Sequence, residues 1–306
     1  MKETRLIVNA DDFGMSRGIS DAVLLAHRFG ILTSASLMIN MPAAEYALEL
    51  ASRAPNLGVG IHLNLCSGKP ILPPADVPSL VDDGGSFHPP RTMTRKLWTW
   101  QASGREIERE LRAQIRRMKS FGHHPTHADS HHHMHIYPAA ARPFARALEA
   151  EGITCARASR CTCWSHGRKA GPIGGPHEGS LARRVFVQMY RAGLQRTLFR
   201  GFESPESRIS FLPRERRDLG RLAECWKAAF ESLPPGTYEF ACHPGFFEPG
   251  FSEADSIHLQ REEELHWLTT PEMRRIIERS GIRLITYGEL RQPRVSQRAA
   301  AEAAVS

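Results

Sequence analysis

The residues most able to do chemistry lie in four short clusters. The longest reads Pro125-Thr126-His127-Ala128-Asp129-Ser130-His131-His132-His133-Met134-His135. On an extended chain His127, Asp129, His131 and His133 share one face, because side chains alternate with period two. Several imidazoles and a carboxylate converging at a strand end describe a metal site, neutral imidazole being the commonest protein ligand. The second cluster is Asp11-Asp12, which follows the apolar run Leu6-Ile7-Val8-Asn9-Ala10. Two adjacent carboxylates there are costly to bury unless they meet a metal or a cation. The third is His62, inside Gly60-Ile61-His62-Leu63-Asn64, and the fourth is His243, in Ala241-Cys242-His243-Pro244-Gly245. A histidine that leads off a strand into a Pro-Gly turn is placed to act as a general acid.

Each cluster alone has a plainer reading. These are a helix cap with a solvated acid, a satisfied core histidine, a turn histidine at the surface, and a structural polar cluster for 125–135. The Gly14 turn and the buried strand before it tilt the aspartate pair toward function. A rival metal site, Cys155, Cys161, Cys163 and His166, has irregular spacing and lacks the second pair that structural zinc wants. The run Gly171-Pro-Ile-Gly-Gly-Pro176 lacks the Gly-Lys-Ser/Thr ending of a phosphate loop.

These clusters need elements to hold them. Strands are expected over residues 6–10, 32–39, 57–65, 125–130, 153–156, 238–242 and 282–286. Helices are expected over 16–29, 42–53, 105–121, 138–151 and 271–280, from apolar i, i+3, i+4 spacing and from Ser16 as a cap. Residues 66–102 show no periodicity and read as a long loop over the site. The alternation of strand and helix means an α/β fold with parallel strands and right-handed crossovers, whose active site lies at the carboxyl ends of the strands. A count of about seven strands favours a barrel over an open doubly wound sheet. Residues 157–235 fit the rhythm poorly and read as an inserted lid on a single domain over 1–291. The Ala/Ser/Gln-rich tail, 292–306, is expected to be disordered.

Composition bounds the function. With 306 residues, 41% hydrophobic and 24% charged, the chain is neither disordered nor fibrous and can bury a large core. Basic residues exceed acidic ones by 7, but they are dispersed, so nucleic acid is not an expected partner. The apolar stretches fall far short of the ~20 residues of a membrane span. The start lacks a secretory leader, and the six cysteines are unevenly spread, so a cytoplasmic protein with reduced thiols is expected. Histidine is the unusual count: 15 in all, seven of them between His123 and His135.

Together, Asn9-Ala-Asp-Asp-Phe-Gly14, Gly60-Ile-His-Leu-Asn64, the 125–135 run and Cys242-His-Pro-Gly245 resemble the YdjC/ChbG family of carbohydrate deacetylases, which includes the HpnK branch. The similarity is close over residues 4–155 and resumes over 237–290. It implies a distorted barrel of about seven parallel strands, similar to the polysaccharide deacetylases. It also implies one divalent metal held by an aspartate and two histidines, which fall on Asp12, His62 and His131. Asp11 then resembles the general base and His243 the general acid or oxyanion partner. His127, Asp129, His133 and His135 become second-shell or substrate contacts, one of which could replace His131 as ligand. The implied reaction is removal of the N-acetyl group from an N-acetylated amino sugar, in an oligosaccharide or a glycolipid headgroup.

The chemistry is consistent with that role, since amide hydrolysis needs a strong nucleophile and a stabilised oxyanion, and a metal with open positions supplies both. Two imidazoles point toward Zn²⁺ and the resemblance toward Mg²⁺, with Mn²⁺ and Co²⁺ also compatible. A metallophosphoesterase would want two metals and more acidic ligands. A non-enzymatic metal-binding module would not need the aspartate pair, and a glycosidase would leave the histidines without a role. The partners expected are thus the sugar substrate and the ion, with a homodimer left open.

Overall fold

The computed structural model describes residues 3–158, 161–165, 168–171, 181–211, 219–249 and 257–291, with side chains considered outside 159–188 and 210–223. Strand β1, Thr4–Phe13, is the axis of the fold and is buried from Leu6 onward. Its neighbours are β2 (Ser34–Leu37) on one side and β8 (Gly236–Cys242) on the other, both parallel to it. Outward from β2 follow β3 (Gly58–Leu63) and β4 (Ala128–Ser130). Outward from β8 follow β7 (Ser207–Phe211), β5 (Cys161–Ser165) and the antiparallel β6 (Arg168–Gly171). The short β9 (Arg283–Leu284) pairs with the start of β1 through Arg5 and Leu6.

The sheet curls toward closure. Ala128 of β4 pairs in parallel with Ala156, and Cys155 pairs with Glu203. These residues lie upstream of β5 and β7, so the ladder passes from β4 round to β7 and β8. The fold is therefore an α/β barrel whose strands are parallel apart from β6; the alternation of elements predicts the parallel strands and the strand count the barrel. The stretch 157–235, expected as a lid, supplies β5 and β7 to this wall, where β7 pairs in parallel with both β5 and β8. The tail 292–306 lies outside the described residues.

Helices clothe the barrel. They are α1 (Arg17–Phe29), α2 (Ala44–Ser52), α3 (Pro90–Trp98), α4 (Gly104–Ser120), α5 (Pro138–Ala150), α6 (Leu181–Thr197), α7 (Leu219–Glu231), α8 (His258–Thr269) and α9 (Pro271–Arg279). Ser16 caps α1 by accepting from the Ile19 N–H at 3.2 Å. The loop expected over 66–102 contains α3. Its only buried residues are Met93 and Leu97, too few to show as a period in the sequence. The loop before it is tied down by Glu110 of α4, which accepts from the backbone N–H groups of Ile71 (2.9 Å) and Leu72 (3.0 Å).

Two boundaries differ from expectation in ways that shape the site. β1 runs through Asp11 and Asp12 to Phe13, with a break in register against β2 between Ala10 and Phe13. β4 ends at Ser130, and residues His131–Ile136 form a 3₁₀ segment in which His132 and His133 take positive φ (51° and 53°). The extended face expected to carry His127, Asp129, His131 and His133 together therefore stops at Asp129.

Gly60 of β3 is fixed by packing. A Cβ there would lie 2.3 Å from Cε1 of His127, a ring that is fully buried and stacked on Tyr287 at 3.7 Å between centroids. Gly60→Ala should overpack this contact and cost about 1–3 kcal/mol. A lowered urea midpoint at unchanged m-value is expected, and an unchanged midpoint would mean that the His127 ring can shift freely.

Candidate metal centre

Because β1, β3, β4 and β8 are parallel, their carboxyl ends meet at one edge of the barrel. The register break in β1 places Asp12 at φ 65°, a left-handed conformation that aspartate tolerates better than most residues. A break of this kind re-aims side chains that alternation would set on opposite faces. Asp11 meets Arg157, and Asp12 meets His62 and His131. Asp12 Oδ1 lies 3.0 Å from Nδ1 of His131 and 3.5 Å from Nε2 of His62, and it has no hydrogen-bond partner. Its other oxygen accepts from Arg261 Nη2 at 2.8 Å.

His62 is held from behind. Its Nδ1 lies 2.7 Å from Asp129 Oδ1, and this bond turns Nε2 toward Asp12. A carboxylate behind a ligating histidine fixes the ring and raises its basicity. Ser36 Oγ in turn donates to Asp129 Oδ2 at 3.0 Å.

Three groups of donors are close enough to hold an ion among the described residues: Asp12–His62–His131, Asp11–His62–Asp129 and Cys66–His131–His132. In the second group Arg157 already occupies both aspartates. In the third, burial pushes the Cys66 thiol up to about 12, so no thiolate awaits a hard cation. The first group alone offers an orphaned carboxylate oxygen facing two imidazoles. Four buried carboxylates (Asp11, Asp12, Asp129, Glu239) also face two buried guanidiniums (Arg157, Arg261), a negative excess that a divalent cation offsets. Without an ion the excess falls on His62. Burial alone would lower its pKa, but Asp129 first, then Asp11 and Asp12, raise it to about 9.

Arg157 is the hub of the buried charges. Its Nη1 donates to Asp11 Oδ2 (2.8 Å), its Nε to Glu239 Oε1 (2.9 Å), and its Nη2 reaches both Asp11 and Asp129 Oδ2 (2.7 Å). Burial pushes Asp11 and Asp129 toward the neutral form, but Arg157 and His62 together outweigh it and hold both below the ordinary carboxylate range. At Glu239 burial wins, and the carboxyl stays above its ordinary value. His243, at the end of β8, sets Nε2 3.9 Å from Asp11 Oδ2. Its backbone N–H donates to Glu264 of α8, and its side chain keeps 19% of its surface exposed.

The other histidines of 125–135 have separate tasks. His127 bonds to Ser36 Oγ (3.1 Å) and Thr126 Oγ1 (3.0 Å), three bonds behind His62, and burial drives it down to about 3. His135 bonds to Ser130 Oγ at 2.6 Å, packs on Phe144 at 5.0 Å, and is likewise lowered by burial to about 3. Arg208 donates to His133 Nε2 at 2.7 Å. His127 and His135 are thus fully enclosed, neutral packing groups rather than groups a sugar could touch.

The family profile described as YdjC-like protein matches residues 5–279. The chain belongs to the YdjC-like family. It is 36% identical to a carbohydrate deacetylase of Geobacillus stearothermophilus over 92% of this chain and 96% of that one. A carbohydrate deacetylase of Mus musculus is 31% identical over 94% of each chain. A solved structure from Enterococcus faecalis V583, provisionally described as a cellobiose-phosphate cleavage protein, shares the fold with a TM-score of 0.74. That match covers 94% of this chain and 99% of that one at 24% identity. No helix among the described residues of this YdjC-like protein is long and apolar enough to cross a membrane.

Arg157, Arg261, Glu239 and Glu264 are absent from the sequence reading. Two carry a signal that was open to use: Arg157 directly follows an expected strand, and Glu239 is a charge inside an apolar one. Arg261 and Glu264 sit in a run of charged residues that looks like any solvated helix face.

Replacing Arg157 with Met would leave Asp11, Asp129 and Glu239 buried with His62 as their one remaining nearby cation, a loss of about 3–5 kcal/mol at neutral pH. In the wild type, depressed aspartate pKa values contribute stability above the ordinary carboxylate range, and this is lost as pH falls. In the variant, burial raises them, so folding takes up protons and stability grows as pH falls. The gap between the two proteins in denaturant midpoint should therefore narrow on acidification, and a constant gap would remove Arg157 as the counter-charge.

Proposed function

We propose that this protein is a metal-dependent hydrolase that removes the N-acetyl group from an N-acetylated amino sugar. The observation that carries the reading is the convergence of Asp12, His62 and His131 beside Asp11 and His243. Asp12, His62 and His131 would hold one divalent ion. An ion bound there supplies an acidified water and polarisation of the acyl oxygen. The mixed donor set suits Zn²⁺, and Mg²⁺ is the alternative that the family resemblance raises. Cys66 and Cys242, buried as free thiols, fit a reducing, cytoplasmic setting.

Asp11 is the group we assign as general base. Arg157 keeps it ionised at neutral pH, and Asn9 Nδ2 fixes it through a 3.1 Å bond to Oδ1. It takes a proton from the water that attacks the acetyl carbon. His243 stands across from it, partly open to solvent, and gives a proton to the sugar nitrogen as the C–N bond breaks. Water and the amide thus become acetate and a free amino sugar. The relatives described as carbohydrate deacetylases support this substrate class.

Acetate should be released from a panel running from N-acetylglucosamine through diacetylchitobiose to a lipid-linked N-acetylglucosamine. It should vanish with EDTA and return with metal. Asp11→Asn should keep the ion and lose at least ~100-fold in turnover; full activity would remove Asp11 as base. Ion binding must displace the His62 proton, so apparent affinity should rise with pH and level off near 9, the value set by the surrounding carboxylates. His62→Ala should abolish both the ion and the released proton in calorimetry, and an unchanged ion content would reject the ligand set.

A further inference from the structure

The third donor group, Cys66–His131–His132, shares one histidine with the metal centre but differs in chemistry. Asn64, just past β3, folds its side chain back to accept from the N–H groups of Cys66 (3.0 Å) and Ser67 (3.1 Å). Gln114 of α4 holds Asn64 by both backbone groups, at 3.0 and 2.7 Å. The turn therefore presents Cys66 from a rigid frame. On the facing segment, the left-handed backbone of His132 (φ 51°, ψ 23°) brings the rings of His131 and His132 to 4.4 Å, although neighbours on an extended strand would diverge. A non-glycine residue in that region is sparsely populated and marks a constrained place. Cys66 Sγ and a ring nitrogen of each histidine lie within 4.8 Å of one another. Cys66 is buried, whereas His132 is exposed and offers a way in.

We propose that Cys66, His131 and His132 form a second, inhibitory site for a thiophilic divalent cation such as Zn²⁺ or Cd²⁺, which draws His131 out of the set with Asp12 and His62. The proposal rests on the reading of Asp12, His62 and His131 as the resident ion's ligands. The sulfur–metal bond forms as the thiol proton leaves to solvent, with no change of oxidation state. Sulfur selects soft ions and disfavours Mg²⁺, while the carboxylate of Asp12 accepts both. Excess Zn²⁺ therefore inhibits, and excess Mg²⁺ does not.

The test titrates the metal-loaded protein with Cd²⁺ and follows thiolate-to-cadmium charge-transfer absorption, with acetate release measured in parallel under excess Zn²⁺ or Mg²⁺. The wild type should develop the absorption band on taking up Cd²⁺ and lose activity in excess Zn²⁺. Cys66→Ser should show no band, keep its basal activity, and need at least about tenfold more Zn²⁺ for the same inhibition. His132→Asn, which tolerates the same backbone, should weaken the band. Absence of the band in the wild type would overturn the site. A band without inhibition, or inhibition unchanged in Cys66→Ser, would overturn the claim that His131 is taken. A band in a protein that releases no acetate from any substrate would instead sink the deacetylase reading and leave the soft-metal site standing.

Discussion

A buried guanidinium organises the working end of this barrel. Arg157 is 2% exposed and reaches Asp11 from β1, Asp129 from β4 and Glu239 from β8. Removing a charge of this kind from water costs several kcal/mol unless its partners surround it, and the same holds for each carboxylate. Neither side is tolerable without the other, so the charges tie three strands to one register. Asp129 can then stand behind His62, and Asp11 can stay ionised although buried.

The excess of negative charge left by that network gives the site its appetite for a cation. Two guanidiniums do not balance four carboxylates: Arg261 pairs with Asp12, while Arg157 alone faces Asp11, Asp129 and Glu239, so the excess lies beside His62. In the absence of an ion, His62 holds a proton to about pH 9. On the proposed ligand set, proton and metal ion compete for one place, and ion binding and proton release become a single event. His131 stands at the edge of this arrangement, shared between a hard donor set and a soft one.

Much of the architecture was legible because it rests on local patterns. Apolar runs of strand length, separated by amphipathic helices, lead to parallel strands by chain connectivity, and the carboxyl ends of those strands must then form one edge. Asp11, Asp12, His62 and His243 could be picked out because each is a polar residue where an apolar strand ends or should continue unbroken. The same logic failed at 131–135, where period-two alternation was extended past Ser130 although the chain turns. It also failed at α3, whose two buried residues are too sparse to show a helical period.

The amino-acid sequence by itself determined the family, the α/β rhythm and the short list of groups able to do chemistry. Those depend on residue type and spacing along the chain. The tertiary structure alone decided which members of the histidine cluster meet Asp12 and which become neutral packing, since a positive φ at His132 and His133 redirects the run. It alone also brought in Arg157, Arg261, Glu239 and Glu264. Their partners lie up to 249 residues away, and a buried ion pair leaves no periodic trace in either strand. Its energy depends on desolvation, which exists only once the chain has closed around it.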